Sequence, residues 1–323
     1  MKRTSRMGSP WHGLSAVLSK ELADHLGSAR MRLLEWLVVL TAAAALYGAI
    51  QGIRQSTASD PFVFLRLFTD AQAPLPSFAA LLGFLIPLVA IGLGFDAING
   101  EYSRRTLSRI LSQPIYRDAL LMGKFLAGMA ALAICLVSLW LLVMGAGLIL
   151  LGVPPGGEEV ARSLAFLVAA LAYAGVWLAV ALLCSVLFRS ASTSALVALG
   201  LWLFCALLWP MLAPALAQAI APPDLATVIS GGLDLHTVAW QQGLLHLSPA
   251  TLFSDTAITL LSPATRALGP VFLSQIQGAL LGSPLPLSES LAIVWPQFTG
   301  LIAAVTLLFT AGYVVFQRQE VRA

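Results

Sequence analysis

Six stretches of almost unbroken apolar residues, 33–53, 77–95, 125–151, 163–188, 194–216 and 291–316, dictate what this chain can become. A helix needs about 20 residues to cross a hydrocarbon layer about 30 Å thick, and each stretch is at or near that length. A mean hydropathy of +0.87, with 59% hydrophobic and 10% charged residues, leaves too little polar surface to cover a water-soluble globule. The sequence therefore predicts an all-α integral membrane protein whose 323 residues form a single transmembrane domain of six helices. Pro87, Pro210, Pro214 and Pro296 lie in three of the stretches, where neighbouring helices can satisfy the backbone groups they free.

Charge sorts the connecting segments. Fourteen of the 18 Lys and Arg residues fall in segments that would share a side with the N-terminus, and only Arg54, Arg66, Arg162 and Arg266 fall on the other. Positive charge is retained on the cytosolic side of short loops, so both termini are predicted to be cytosolic. The basic start lacks a short apolar core with a small-residue cleavage pattern and reads as a retained segment. Within 11–32, Leu14, Val17, Leu18 and Leu22 recur about once per helical turn with Lys20, Glu21 and Asp24 between them, which predicts an amphipathic helix in the cytosolic interface.

The segment 217–290 holds Pro222-Pro223, Gly231-Gly232 and "LSPATLFSDTAITLLSP" at 247–263, too interrupted to span. It reads as short helices over the outer mouth, or as a small extracytoplasmic domain able to meet a partner there.

The missing chemistry narrows the function. Carriers coupled to ions or protons hold titratable groups at membrane depth, and none lies in the cores of the second to sixth stretches. Glu35, at the cytosolic end of the first, can reach the interface. Neither a catalytic constellation nor a metal-ligand spacing is legible: Cys135, Cys184 and Cys205 read as small core hydrophobes, and His236 and His246 as solvated surface residues. No phosphate-cradling loop of the G-x-x-x-x-G-K-[ST] type occurs, so the chain is expected to bind no cofactor and to draw any ATP energy from another subunit. The net charge of +3 does not imply nucleic acid.

Against this background, "NGEYSRRTLSRILSQPIYRD" at 99–118 concentrates six charged residues in twenty. Read as a helix over 96–113, it carries a narrow stripe of Leu107, Ile110 and Leu111, with Glu101 three and four residues ahead of Arg104 and Arg105. Pro114 ends it. Its arginines suit anionic lipid or a cytosolic partner.

The stretch 94–128 resembles the signature region of type-2 ABC transporter permeases, through Glu101, Thr106-Leu107, Leu111-Ser112-Gln113-Pro114, Arg117 and Gly123-Lys124. Lys20-Glu21-Leu22 resembles the entrance helix of the same family, and 247–263 its stretch before the last span. The resemblance implies that 96–124 is a cytosolic coupling region gripped by an ATP-binding subunit. The implied contact residues are Glu101, Arg104, Arg105, Leu107, Arg109, Ile110, Leu111, Ser112, Gln113, Pro114 and Arg117. "FRSASTS" at 188–194 would be a second contact.

It further implies ATP bound by that partner, a second permease copy or paralogue, and residence in a prokaryotic inner membrane, with drug, lipid or peptide export as the leading activity. A subgroup that serves maturation of the copper enzyme nitrous oxide reductase has a similar 94–107 stretch, but no Met, Cys or His cluster here supports metal handling. A membrane scaffold that transports nothing is the remaining alternative.

Overall fold

The computed structural model describes residues 13–55, 61–103, 116–222, 234–265 and 284–319, and the regular elements among them are helices. In chain order these are α1 (Leu14–Gly27), α2 (Ala29–Gln55), the short α3 (Val63–Thr69), α4 (Phe78–Gly94), α5 (Asn99–Ser103), α6 (Arg117–Leu151) and α7 (Gly157–Leu187). Then come α8 (Ala191–Leu203), a π-helical turn at Phe204–Leu208, α9 (Trp209–Ile220), α10 (Leu235–Leu245), α11 (Pro249–Leu261) and α12 (Leu287–Arg318). Six helices among the described residues are long and apolar enough to cross a bilayer: α2, α4 continued to Ser103, α6, α7, α8 with α9, and α12.

Most of these helices outrun the apolar stretches that announce them. A hydropathy reading stops at the first charge, whereas backbone hydrogen bonding continues into polar turns that meet the interface. The fourth helix begins at Gly157 and not near 163, and the third at Arg117 and not near 125. Arg162 and Lys124, which the sequence reading left in loops, are thereby carried on spanning helices, and both are buried.

α7 is the most buried of the six. It packs on α4, α6, α11 and α12. Lipid tails are as apolar as leucine, so helix association rests on close packing and hydrogen bonds more than on expulsion of water. Gly94 and Gly128 make that approach possible: a Cβ on either would fall 2.8 Å from Ala181 Cβ or Leu178 Cδ2 of α7. Aromatic rings fill the far half of the core, with Tyr173 of α7 stacked on Phe253 of α11 at 4.6 Å and 8°.

The segment predicted to cap the outer mouth does more than cap. α10 and α11 meet at a 106° bend and form an angled pair. Its elbow reaches the middle of the fifth span, where the Ser248 hydroxyl donates to the carbonyl of Cys205 (2.9 Å) in the π-helical turn. Beside it, the Trp209 indole donates to Leu244 O (2.7 Å). A π-helical turn displaces carbonyls from the regular ladder, and here a hydroxyl from another element takes one of them. From the elbow, α11 runs back between α7 and α12, burying Leu252, Phe253, Thr256, Leu260 and Leu261.

Both described termini lie at one end of the bundle. Val17 of α1, Ile98, Leu120 and Leu121 of α6, Val186 of α7 and Phe316 of α12 form a second, smaller apolar cluster there.

Candidate coupling site

At the termini end, α1 lies against the foot of α6. Gly123 is the reason it can: a Cβ there would sit 2.7 Å from Val17 Cγ1, inside any real contact. One residue on, Lys124 turns its ammonium into the seam. Its side chain is 3% exposed, and Nζ lies 3.0 Å from Glu21 Oε1 of α1 and 2.7 Å from Glu101 Oε1 of α5. Lys20 adds a second cation to Glu21 at 2.9 Å and pairs with Asp24 at 3.0 Å. A buried lysine is costly alone; two carboxylates and a neighbouring lysine make a balanced cluster of it.

Titration follows that geometry. Burial by itself would push the Glu21 carboxyl up, but the Lys124 charge and the hydrogen bonds from Lys20 and Lys124 outweigh it and hold the pKa below the usual carboxylate range. Partial burial opposes the Lys20 charge, yet its hydrogen bonds to Glu21 and Asp24 win and its pKa rises. His25, also on α1, is shifted down chiefly by burial, with Lys124 and Arg30 adding to the effect and Glu21 and Asp96 opposing it.

Three further sets of bonds tie α5 and the start of α6 to the other spans. The Arg30 guanidinium of α2 clasps Asp96 with both arms (3.0 and 3.2 Å) and lies 4.9 Å from the Phe95 ring centroid. Ser185 Oγ of α7 accepts from the amides of Ile98 (2.9 Å) and Asn99 (3.3 Å), and the Asn99 side-chain amide donates to Phe188 O (3.2 Å). Arg117 donates to Gln319 O (3.0 Å), and Gln317 of α12 donates to Asp118. Arg189, in the turn after α7, stands 5.6 Å over the Tyr102 ring, so the two polar turns of this end touch.

Of the predicted contact residues, Glu101 and Arg117 are therefore part of this bonded base. Arg104, Arg105, Leu107, Arg109, Ile110, Leu111, Ser112, Gln113 and Pro114 lie outside the described residues. The sequence reading did not single out Arg30, Asp96, Asn99, Ser185 or Gln317 as contact residues, although Asp96 and Asn99 lie inside the 94–128 stretch that carries the resemblance. Only the clustering of polar residues at helix ends on one side could have signalled them.

A second polar centre at the opposite end was also missed. Arg162 is fully buried and donates to Glu158 (3.0 Å), Leu260 O (3.1 Å), Ser290 Oγ (3.1 Å) and Leu285 O. It thus ties the first turns of α7 to the end of α11 and the start of α12. Beside it, Glu159 accepts from the amides of Phe64 (2.8 Å) and Gly156 (2.7 Å), anchoring α3. His246 is not a free surface histidine: it sits at the elbow between α10 and α11 with Nε2 3.0 Å from Asp255. His236 lies ten residues away at the start of α10, about 15 Å along the axis, too far to share an ion with it.

Six helices long and apolar enough to cross a bilayer define a multi-pass membrane protein. Residues 15–321 match the ABC-2 family transporter protein family, and the chain belongs to that family. It is similar to two curated proteins, each called "Probable ABC transporter permease protein NosY". The one from Stutzerimonas stutzeri is 27% identical over 253 residues, 78% of this chain and 82% of the relative. The one from Pseudomonas aeruginosa is 33% identical over 230 residues, 70% of this chain and 72% of the relative. Family and relatives together make the chain an ABC transporter permease, a type of subunit that is generally not itself a catalyst and that works with an ATP-binding subunit.

Proposed function

We propose that the chain is the membrane subunit of an ATP-driven exporter of a prokaryotic inner membrane, with its termini end in the cytosol and residues 99–117 as the mechanical link to a partner ATPase. The observation that carries this reading is the Lys124 bridge, which fastens α5 to α1 and to the foot of α6 at once. Force applied to the chain just beyond Ser103 is then delivered to whole spans through the bonded base. ATP is bound by the partner, this chain needs no cofactor of its own, and two permease chains pair in the assembly.

Charge reversal at Arg104, Arg105 and Arg109 together tests the link. The spans should assemble normally while the ATPase no longer co-purifies or hydrolyses ATP without transport. Retained co-purification and transport would overturn the assignment.

The two relatives named NosY favour a second reading, a permease for maturation of nitrous oxide reductase. Deleting the gene in a denitrifying host separates the two. Loss of nitrous oxide reductase activity with normal tolerance of drugs and normal envelope lipids favours the maturation system, and the reverse pattern favours general export.

A further inference from the structure

The proposed link at 99–117 ends on the first residue of α6, and the first two residues of α6 are held by the last turns of α12. Asp118 accepts from the Gln317 side-chain amide and from the Tyr313 hydroxyl, which lie one helical turn apart on α12. Arg117 donates to Gln319 O (3.0 Å), and the Gln319 side chain donates onward to Val186 O of α7 (2.8 Å). Two consecutive residues of α6 thereby bind the ends of two other spans.

Three features separate this knot from ordinary surface bonding. It is backed by the apolar cluster of Leu120, Leu121, Val186 and Phe316, each no more than 5% exposed, and by the Phe125 and Phe309 rings, 4.8 Å apart. Hydrogen bonds to a carboxylate are stronger than those between neutral groups, and more so where water is kept away. The knot is also where α6 and α12 meet, since α12 runs chiefly against α7 and α11. At its other end α12 enters the Arg162 centre, where Ser290 Oγ accepts from the guanidinium that also holds Leu260 O of α11. From Ser290 to Gln317 is about 40 Å of helix, so a displacement given to Asp118 reaches the end of α11 without crossing a loop.

We infer that Asp118, Tyr313, Gln317 and Gln319 are positioning residues, a clasp that makes the sixth span move with the third when the partner ATPase acts on the coupling region. The inference rests on the coupling reading and adds to it which second span is driven.

The test uses the full chain with its ATPase in nanodiscs, Cys135, Cys184 and Cys205 replaced by alanine, and labelled chains diluted with unlabelled ones. Spin labels on Leu33→Cys of α2, Leu126→Cys of α6 and Val314→Cys of α12, all at exposed positions, are read in pairs by double electron–electron resonance. Trapping with ATP and vanadate should shift the 33–126 and 33–314 distances together and leave 126–314 unchanged. Tyr313→Phe with Gln317→Leu removes both donors to Asp118. It should abolish the 33–314 shift while 33–126 still responds, with all three nucleotide-free distances as in the wild type, which a general loosening of the bundle would alter. Asp118→Asn keeps an acceptor oxygen and should retain both shifts. A 126–314 distance that changes on trapping in the wild type, or a 33–314 shift that survives loss of both donors, would overturn the clasp and leave the coupling reading standing. No ATP-dependent shift in any wild-type pair would sink the coupling reading and the clasp with it. Should the double variant fail to assemble, the wild-type distances and Asp118→Asn still decide.

Discussion

Replacing Lys124 with Met removes the ammonium that two carboxylates face and keeps most of the side-chain bulk. Glu21 and Glu101 are then left in the seam with side chains only 11% and 15% exposed. Removing one partner of a buried ion pair costs about 3–5 kcal/mol, mainly through the uncompensated charge that remains. Lys20 still pairs with Glu21, so the low end applies, about 3 kcal/mol. At about 1.4 kcal/mol per tenfold, that is roughly a hundredfold change in an equilibrium constant, here the docking of α1 on α6.

Hydrogen exchange of the chain in nanodiscs reads this directly. Amides of 17–27 should exchange about a hundredfold faster in the variant, while those of 166–182 in α7 keep their protection. The triple variant Lys124→Met, Glu21→Gln, Glu101→Gln should regain most of the loss, because a network neutralised as a whole leaves no buried charge behind. Unchanged exchange in the single variant, or a triple variant worse than the single one, would refute the view that Lys124 is a structural bridge.

Gly123→Val forces a side chain into the space of Val17, and overpacking of about 1–3 kcal/mol should loosen α1 without affecting ATPase binding by a detached peptide of 96–124; pull-down with that peptide and exchange of α1 check both halves. Arg162→Met strands three buried acceptors, so the end of α11 and the start of α12 should become protease-sensitive while α1 stays docked; Arg162→Lys keeps the charge but not the fork and should rescue only part. Acidification should undock α1 in two stages. His25 has its folded pKa lowered, so its contribution is complete above about 6.5 and is lost as pH falls below that value. Glu21 is likewise lowered, so its contribution holds until pH falls below the usual carboxylate range. His25→Asn should abolish the first stage alone when exchange of α1 is followed against pH.

The spans were legible because lipid imposes one requirement, a long apolar helix, that any reader of hydropathy can apply; α7 and α12 each extend beyond the stretches that forecast them. The ends were less legible. Arg162 looked like a loop arginine because its partners, Leu260 O, Leu285 O and Ser290, are two carbonyls and a hydroxyl about a hundred or more residues away. α11 was read as one of the short helices over the outer mouth, but its burial between α7 and α12 was not: Thr256 and Thr259 interrupt its hydropathy, yet both bond carbonyls of their own helix, to Leu252 and Asp255, and so bury cheaply. At the coupling base, Lys20-Glu21, Glu101 and Gly123-Lys124 were visible as separate pieces of a resemblance. That they are one ion cluster follows only from the close approach at Gly123, which no spacing in the chain encodes.

The central claim is that the end carrying both termini and α5 faces the cytosol and meets the ATPase. The direct measurement is labelling of Ser103→Cys, an exposed residue at the last described turn of α5, in a chain whose Cys135, Cys184 and Cys205 are replaced by alanine. A membrane-impermeant maleimide should fail to label it in intact cells, label it in inverted vesicles, and be blocked there by the bound ATPase subunit. Labelling in intact cells would place this end outside and contradict the account.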